Sequence, residues 1–208
     1  MATKNLIFEA CVETLEDALA AEKRGANRIE LCSALDQDGL KPSAELTMQC
    51  LRHLSIPIMA MVRPRGGDFV YSESEILQMG MDIEFFKQAG VAGVVFGLLT
   101  GDSEIDIENT RHLAKLAFPL EVTFHKAIDY TTNILKSFQE LNEINGITRV
   151  LTSGGKDTAW NGRLVLKAMN EFPERRIQII AAGKIVPENR IEIAEFTGIT
   201  ELHGMRIV

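Results

Sequence analysis

The chain has 208 residues, of which 46% are hydrophobic and 25% are charged, and its formal net charge is −7. A chain of this size can bury one sizeable core, so we expect a single domain over residues 1–208. The acidic balance argues against nucleic acid and membrane surfaces as partners, because both need a clustered positive field. No run reaches the ~18 apolar residues of a membrane helix, and no signal-peptide pattern begins the chain. We therefore expect a cytoplasmic protein.

Eight short strand-like runs follow one another along the chain, each separated from the next by a helix-like segment. Regular alternation of this kind predicts right-handed crossovers and a parallel sheet. In chain order the runs are LIFEACV (6–12), RIELCS (28–33), PIMAMVR (57–63), GVVFG (93–97), EVTFH (121–125), RVLTS (149–153), QIIAAG (178–183) and ELHGMRIV (201–208).

The segments between the strands carry helix start signals. Thr14 and Ser72 each stand three residues before an acidic residue, which is the spacing of a capping box, and Ser43 follows a proline. Pro187 suits the first turn of the last helix. These signals support helices after the first, second, third and seventh strands.

A glycine junction recurs before every second strand. Gly25, Gly90, Gly146 and Gly198 each end a helix-like segment and lead into strands two, four, six and eight. The recurrence and the number of strands predict an α/β fold of the TIM (β/α)₈ barrel type, with a doubly wound open sheet as the alternative. The eighth helix is missing from this sequence. Because exposed apolar sheet usually finds a cover, we expect a homodimer or a larger homo-oligomer.

Charged and polar side chains point into the predicted barrel. Side chains alternate along a strand, so the apolar residues that face the helices leave every second residue facing inward. Burying unpaired charges costs ~2 to 7 kcal/mol or more each, so these groups need one another or a ligand. They predict a site at the C-terminal mouth of the barrel, with an internal ion-pair network as the alternative. The inward residues are Glu9, Cys11, Glu30, Cys32, Met61, Arg63, Thr123, His125, Glu201 and His203.

Six ordered segments of the chain resemble the CutC copper homeostasis family. The resemblance implies a TIM barrel, a cytoplasmic location, self-association and a role in copper homeostasis, with direct Cu(I) binding proposed for some members. Many relatives have Arg where this chain has Lys126. Lysine lacks the planar bidentate donor of arginine, so any anion contact there would be weaker. Longer members of the family continue past the final strand. The segments are ACVETLEDALAAEKRGANRIELCSALDQDGLKPS, MVRPRGGDFVYSESE, GVVFGLLTGDSEID, VTFHKAID, RVLTSGG and ELHGMR.

The three cysteines are the candidate soft ligands. An odd number of cysteines, in a chain large enough to fold without disulfide bonds, argues against a disulfide framework, so we expect reduced thiols. Cu(I) prefers thiolate and thioether ligands, and Cys11 and Cys32 stand at equivalent positions on adjacent predicted strands. Met59 and Met61 could add thioether contacts. The alternative is ordinary packing of small and flexible apolar residues, which we expect for Cys50 on the second helix.

The second hypothesis is an enzyme that acts on a small anionic molecule. Glu30 and His125 could be acid or base groups, and Arg63 could clamp an anion. Loops after strands seven and eight, beside a helix N-terminus, often hold phosphate in barrels. No organic cofactor is indicated. The catalytic candidates are Glu9, Glu30, Arg63, His125, Asp129 and His203. The ligand-binding candidates are Arg65, Lys126, Ser153, Gly183, Lys184 and Gly204.

Overall fold

A computed structural model describes residues 5–208 and contains eight parallel strands that close into one barrel. The strands pair in chain order from β1 to β8, and β8 returns to β1. The predicted TIM barrel is therefore confirmed, and the open sheet is excluded. The strands are β1 (Ile7–Val12), β2 (Arg28–Leu31), β3 (Ile58–Met61), β4 (Gly93–Phe96), β5 (Glu121–Phe124), β6 (Arg149–Thr152), β7 (Gln178–Ala181) and β8 (Glu201–Gly204).

Seven α-helices occur within residues 5–208, one after each of the first seven strands. Thr14, Ser43 and Ser72 all cap helices as expected, but only Ser72 forms the reciprocal capping box. Pro187 lies in the turn that precedes the last helix rather than in its first turn. The helices are α1 (Leu15–Lys23), α2 (Ala44–His53), α3 (Glu73–Ala89), α4 (Ile107–Ala117), α5 (Ile134–Glu143), α6 (Arg163–Asn170) and α7 (Arg190–Thr197).

The main core lies between the outer face of the barrel and the ring of helices. Outward strand residues such as Ile29, Val94 and Phe124 are fully buried there, and Cys50 of α2 belongs to the same cluster, as expected for packing. A smaller cluster inside the barrel contains both remaining cysteines together with Met59 and Met61. The alternation of side chains along each strand thus separates an apolar outer layer from a polar interior.

The outer face of β8 is covered without an eighth helix. Leu202 and Ile207 are both 0% exposed and belong to the same hydrophobic core cluster. Arg190 donates a hydrogen bond to the carbonyl of Ile207, and Arg24 donates one to that of Val208. The expectation of an uncovered strand is therefore wrong. Self-association stays a prediction, now without this support.

None of the helices formed by residues 5–208 has the length and apolar character that a membrane crossing needs. A surface groove of about 900 Å³ lies between α3 and α4. It contains none of the residues that the sequence predicted for a site.

Candidate functional site

A cavity of about 450 Å³ opens at the C-terminal mouth of the barrel. Nine of the predicted site residues line it, which supports the placement of the site at this end. They are Cys11, Glu30, Arg63, His125, Lys126, Gly183, Lys184, His203 and Gly204. Apolar and aromatic side chains complete the wall, among them Leu35, Met61, Phe69, Tyr130 and Leu151.

A layer of paired charges fills the barrel beneath this cavity. Arg28 donates to Glu9 and, at 2.5 Å, to Glu201. Arg149 donates to the same Glu201 at 3.1 Å and to Glu121 at 2.5 Å. Buried charges are tolerated when they are paired in this way. The layer is an internal ion-pair network, and Glu9 belongs to it rather than to the cavity wall.

His203 connects the ionic layer to the cavity. Its Nδ1 lies 2.9 Å from Oε1 of Glu9, and its Nε2 lies 3.7 Å from Oε2 of Glu30. Burial opposes a charge on the ring, but the adjacent carboxylate of Glu30, contact with Cys11 and the bond to Glu9 together raise the pKa of His203 well above its usual value of 6.5. The ring is therefore an imidazolium at neutral pH.

Glu9 and Glu30 respond differently to their burial. Burial raises the pKa of a carboxyl group, yet for Glu9 the nearby Arg28 and His203 outweigh it and lower the pKa from 4.5 to about 2. Glu30 has no arginine partner, so burial raises its pKa above 4.5. Its Oε1 atom has no hydrogen-bond partner in the described chain. Glu30 is thus a carboxyl group of the cavity wall that can still accept a hydrogen bond.

Cys11 and Cys32 form a close pair of thiols at the floor of the mouth. Their Sγ atoms are 3.9 Å apart, and Sγ of Cys32 lies 3.6 Å from Oε2 of Glu30. The expected equivalence of the two positions is wrong: Cys11 is level with Glu30, so Cys32 lies two residues further along, just past the end of β2. The sulfurs meet diagonally because strands in a closed barrel are staggered.

Both thiols of this pair are protonated at neutral pH. The hydrogen bond with Cys32 and burial raise the pKa of Cys11 well above 9.0. For Cys32 the hydrogen bond from Cys11 works in the opposite direction, but burial and the nearby Glu30 carboxylate raise its pKa to about 11. A metal ion would have to displace these protons.

Two overlapping groups of side chains in the described residues could hold a metal ion. One contains Cys11, Glu30 and Cys32, and the other contains Glu9, Glu30 and His203. Within each group the ligand atoms lie within 4.8 Å of one another. In the second group, His203 is charged and bonded to Glu9, so these two residues are already paired with each other. The first group, with two sulfurs, suits a soft ion such as Cu(I).

His125 is a neutral hydrogen-bond donor rather than the expected group that titrates near neutrality. The backbone N–H of Ala127 donates to its Nδ1 at 3.2 Å, so the ring proton lies on Nε2. Burial and the nearby Arg63 guanidinium lower the pKa of His125 from 6.5 to about 3. Nε2 has no partner among the residues that the structure describes.

The neighbours of His125 fix the orientation of its ring. Phe69 packs against it with ring centroids 5.0 Å apart. Behind the ring, a Cβ atom at Gly97 would lie only 2.4 Å from Nδ1, so the ring occupies space that only glycine leaves free. The donor atom is therefore held in one place.

Arg63 holds two loops at the mouth. Its terminal nitrogens donate to the backbone carbonyls of Gln37, Gly39 and Gly67 at 2.8, 3.3 and 3.0 Å. The guanidinium group that was expected to bind an anion thus donates mainly to backbone carbonyls. Among the described residues, Nε is its one nitrogen without a partner. Arg63 therefore stabilises the conformation of these loops.

Besides Glu9 and Cys32, three predicted site residues are absent from the cavity wall, namely Arg65, Asp129 and Ser153. Arg65 turns away and pairs with Asp68 and Glu75. Asp129 accepts from the Thr152 hydroxyl, from the backbone and side chain of Ser153, and from the Gly155 backbone. These bonds take up the carboxylate of Asp129 and the hydroxyl of Ser153, so both residues shape a loop instead of facing a ligand.

Two lysines stand at the rim. Lys126 is half-exposed, and its Nζ lies 4.0 Å from the already occupied carboxylate of Asp129. Lys184 follows Gly183 and has a left-handed backbone with φ of 54°, and its carbonyl accepts from the side chain of Asn189. Both ammonium groups border the cavity.

Sequence reasoning missed two contributors to the site. Arg28 begins both the predicted strand and β2, so the alternation that placed Glu30 inside would also have placed Arg28 there. Phe69 comes from a loop, and no periodic signal marks loop residues. Its ring contacts both His125 and the Arg63 guanidinium.

Comparisons with known proteins give one consistent result. The family model described as "CutC family" matches residues 6–208. A family protein CutC of Histophilus somni (strain 2336) is 40% identical over 196 residues, which cover 94% of this chain and 80% of the relative. The human copper homeostasis protein cutC homolog is 40% identical over 202 residues, covering 97% of this chain and 74% of the relative.

Solved structures agree with the sequence comparison. The CutC protein from Streptococcus agalactiae superposes with a TM-score of 0.92 at 31% identity, covering 98% of this chain and all of that one. More distant barrels, such as a phosphonopyruvate hydrolase at 14% identity and a TM-score of 0.68, share the fold alone. The resemblance of the six sequence segments is therefore confirmed: the chain belongs to the CutC family.

Proposed function

We propose that this protein acts in copper homeostasis as a Cu(I)-binding protein, with Cys11 and Cys32 as the ligands. The observation that carries the proposal is the 3.9 Å separation of the two Sγ atoms, with Cys11 in the wall of an open cavity and Cys32 fully buried beside it. Two thiolates are ligands that Cu(I) prefers over harder groups. Relatives that match nearly the whole chain bear the name copper homeostasis protein.

The surroundings of the thiol pair favour a soft ion. Met59 and Met61 belong to the same buried cluster as the two cysteines, so thioether sulfur is available as a further soft donor. Glu30 adds one carboxylate oxygen next to Cys32. This donor set has no imidazole that is free to bind, because His203 is charged and bonded to Glu9. It therefore suits Cu(I) better than Zn²⁺, which favours four tetrahedral N, S and O ligands.

A reducing compartment is part of this proposal. Cys11 and Cys32 are free thiols although their sulfurs are adjacent. Such a pair keeps its metal-binding form where thiols stay reduced, which is the condition of the cytoplasm. We accordingly place the function there.

The test is a titration of reduced protein with Cu(I) in competition with a chromophoric Cu(I) chelator. The parent is compared with a variant that carries Cys11→Ser and Cys32→Ser together. We expect the double variant to lose at least about a hundredfold in affinity, because oxygen replaces both soft ligands. The matched control is Cys50→Ala, which changes a cysteine of the outer core and should bind Cu(I) like the parent. Equal affinities in the parent and the double variant would exclude the thiolate site.

A further inference from the structure

Two unpaired polar atoms of opposite character belong to the wall of the mouth cavity. Within residues 5–208, Nε2 of His125 carries a proton and has no acceptor, and Oε1 of Glu30 has no donor. The two residues are only 5% and 3% exposed. Leaving such an atom buried without a partner costs about 1–3 kcal/mol, and more for a charged group. A ligand that supplies one acceptor and one donor would recover this cost.

The structure prepares these two atoms instead of merely leaving them unpaired. The Ala127 N–H fixes which nitrogen of His125 carries the proton, and Gly97 and Phe69 fix where the ring lies. Oε2 of Glu30 is occupied by Cys32 and His203, so Oε1 is the oxygen left for another molecule. Preorganised groups of this kind are typical of binding sites.

The charge at the rim is the second, independent observation. Lys126 and Lys184 border the same cavity, and neither lies within 3.5 Å of a carboxylate in the described residues. Asp38 and Asp157 also line the cavity and are exposed, as Lys184 is, so water weakens all three charges, and the charge of Lys184 still acts on Asp157. Among the described residues, the buried part of the wall offers two unpaired donors, Nε2 of His125 and Nε of Arg63, and one unpaired acceptor, Oε1 of Glu30. The rim offers two lysines.

We propose that the mouth cavity binds a small hydroxylated organic anion. An oxygen of the ligand accepts from Nε2 of His125, and a ligand hydroxyl donates to Oε1 of Glu30. The anionic group, a carboxylate or a phosphate, lies between Lys126 and Lys184. The cavity of about 450 Å³ suits a metabolite-sized molecule. This site does not depend on copper, although it shares Glu30 with the thiol pair.

The experiment is calorimetric titration of the full-length, reduced and copper-free protein with four probes. Glycerate and glycerol 3-phosphate both carry hydroxyl groups and an anionic group. Glycerol lacks the anionic group, and propionate lacks the hydroxyls. We expect one of the two hydroxylated anions to bind at least about tenfold more tightly than either control, because it alone satisfies both halves of the site. The tighter of the two identifies the anionic group as carboxylate or phosphate.

Variants then assign the contacts for the tighter probe. Lys126→Met and Lys184→Met should each weaken binding by about tenfold, while Lys115→Met, on the exposed face of α4, should leave it unchanged. His125→Phe keeps the ring and removes the donor, and should also weaken binding about tenfold. Because Lys126 is a rim residue, its variant tests the site even if the change at His125 disturbs folding.

Two results would overturn the proposal. One is that both hydroxylated anions bind no more tightly than glycerol and propionate. The other is that the rim variants bind the tighter probe as well as Lys115→Met does. Since copper is absent throughout, these outcomes leave the proposed Cu(I) site unaffected, and failure of the Cu(I) titration leaves the anion site unaffected.

Discussion

Nδ1 of His203 lies 2.9 Å from Oε1 of Glu9, and this contact joins the last strand of the barrel to the first. The two residues are also direct neighbours in the register of β1 and β8. The seam that closes the barrel is therefore held by backbone hydrogen bonds and by a buried ion pair whose imidazolium also faces Glu30.

Removing the charge of Glu9 should destabilise the whole barrel. Glu9→Gln leaves Arg28 and His203 without their shared carboxylate, and breaking a buried ion pair from one side typically costs about 3–5 kcal/mol. Urea unfolding followed by circular dichroism measures this loss. The control Glu195→Gln, at an exposed position of α7, should change the free energy of unfolding by less than about 0.5 kcal/mol. A loss as small as the control's would contradict the role of Glu9.

The pH dependence of this loss has a definite sign. The pKa of Glu9 is about 2 in the folded protein against 4.5 for an ordinary glutamate. A lowered carboxyl pKa contributes stability that is complete above about pH 4.5 and disappears as the pH falls towards 2. The difference in unfolding free energy between parent and Glu9→Gln should shrink by on the order of 3 kcal/mol across this window. A difference that stays constant with pH would contradict the assigned shift.

Gly97→Ala should displace the ring of His125. The added Cβ would lie 2.4 Å from Nδ1 and 2.6 Å from Cε1, which are impossible contacts. The ring must move and lose the Ala127 hydrogen bond, and we expect a destabilisation of about 1–3 kcal/mol. Unfolding titrations and the imidazole signals of His125 in NMR spectra report the two effects. Gly101→Ala is the matched control, because nothing lies within 4 Å of its added Cβ.

His125 should stay neutral far below its ordinary pKa. NMR signals of its ring should show the Nε2–H tautomer and no titration between about pH 8 and about pH 4.5, since its pKa is about 3. The unfolded chain takes up this proton near pH 6.5, so His125 makes the protein less stable as the pH falls from about 6.5 towards 3. A titration midpoint near 6.5 in the folded protein would show that the ring is not buried as described.

The affinity for Cu(I) should rise steeply with pH. Both thiols of the Cys11–Cys32 pair are protonated at neutral pH, so binding as two thiolates releases two protons. Two released protons give up to about a hundredfold tighter binding per pH unit. Chelator competition at several values between about pH 6 and about pH 8 measures the slope. A flat profile would indicate ligands other than these thiols.

The barrel was predictable because each of its determinants is local. Alternating runs define the strands, Ser43 and Ser72 begin their helices, and the recurring glycines end others. The same alternation also placed six residues of the cavity wall, since the side of a strand that a residue faces depends only on its parity. Residues such as His125 and His203 could therefore be assigned to the mouth from sequence.

The chemistry of the site was less predictable because it depends on contacts between distant segments. Which nitrogen of His125 carries the proton depends on one backbone N–H, and the charge of His203 depends on carboxylates from two other strands. Arg63 was expected to clamp an anion, but loop carbonyls that no pattern marks occupy its donors. The diagonal meeting of Cys11 and Cys32 follows from barrel stagger, which a single strand does not encode.

The ionic layer around Arg28 closes the interior of the barrel below the cavity. Glu9, Arg28 and Met59 are almost completely buried below the cavity, so in the described chain the mouth is the evident route to the thiol pair. An ion or molecule that enters there has to leave by the same opening. For Cu(I) held at the proposed site, release would then proceed by exchange with a competing ligand at the mouth instead of passage through the protein.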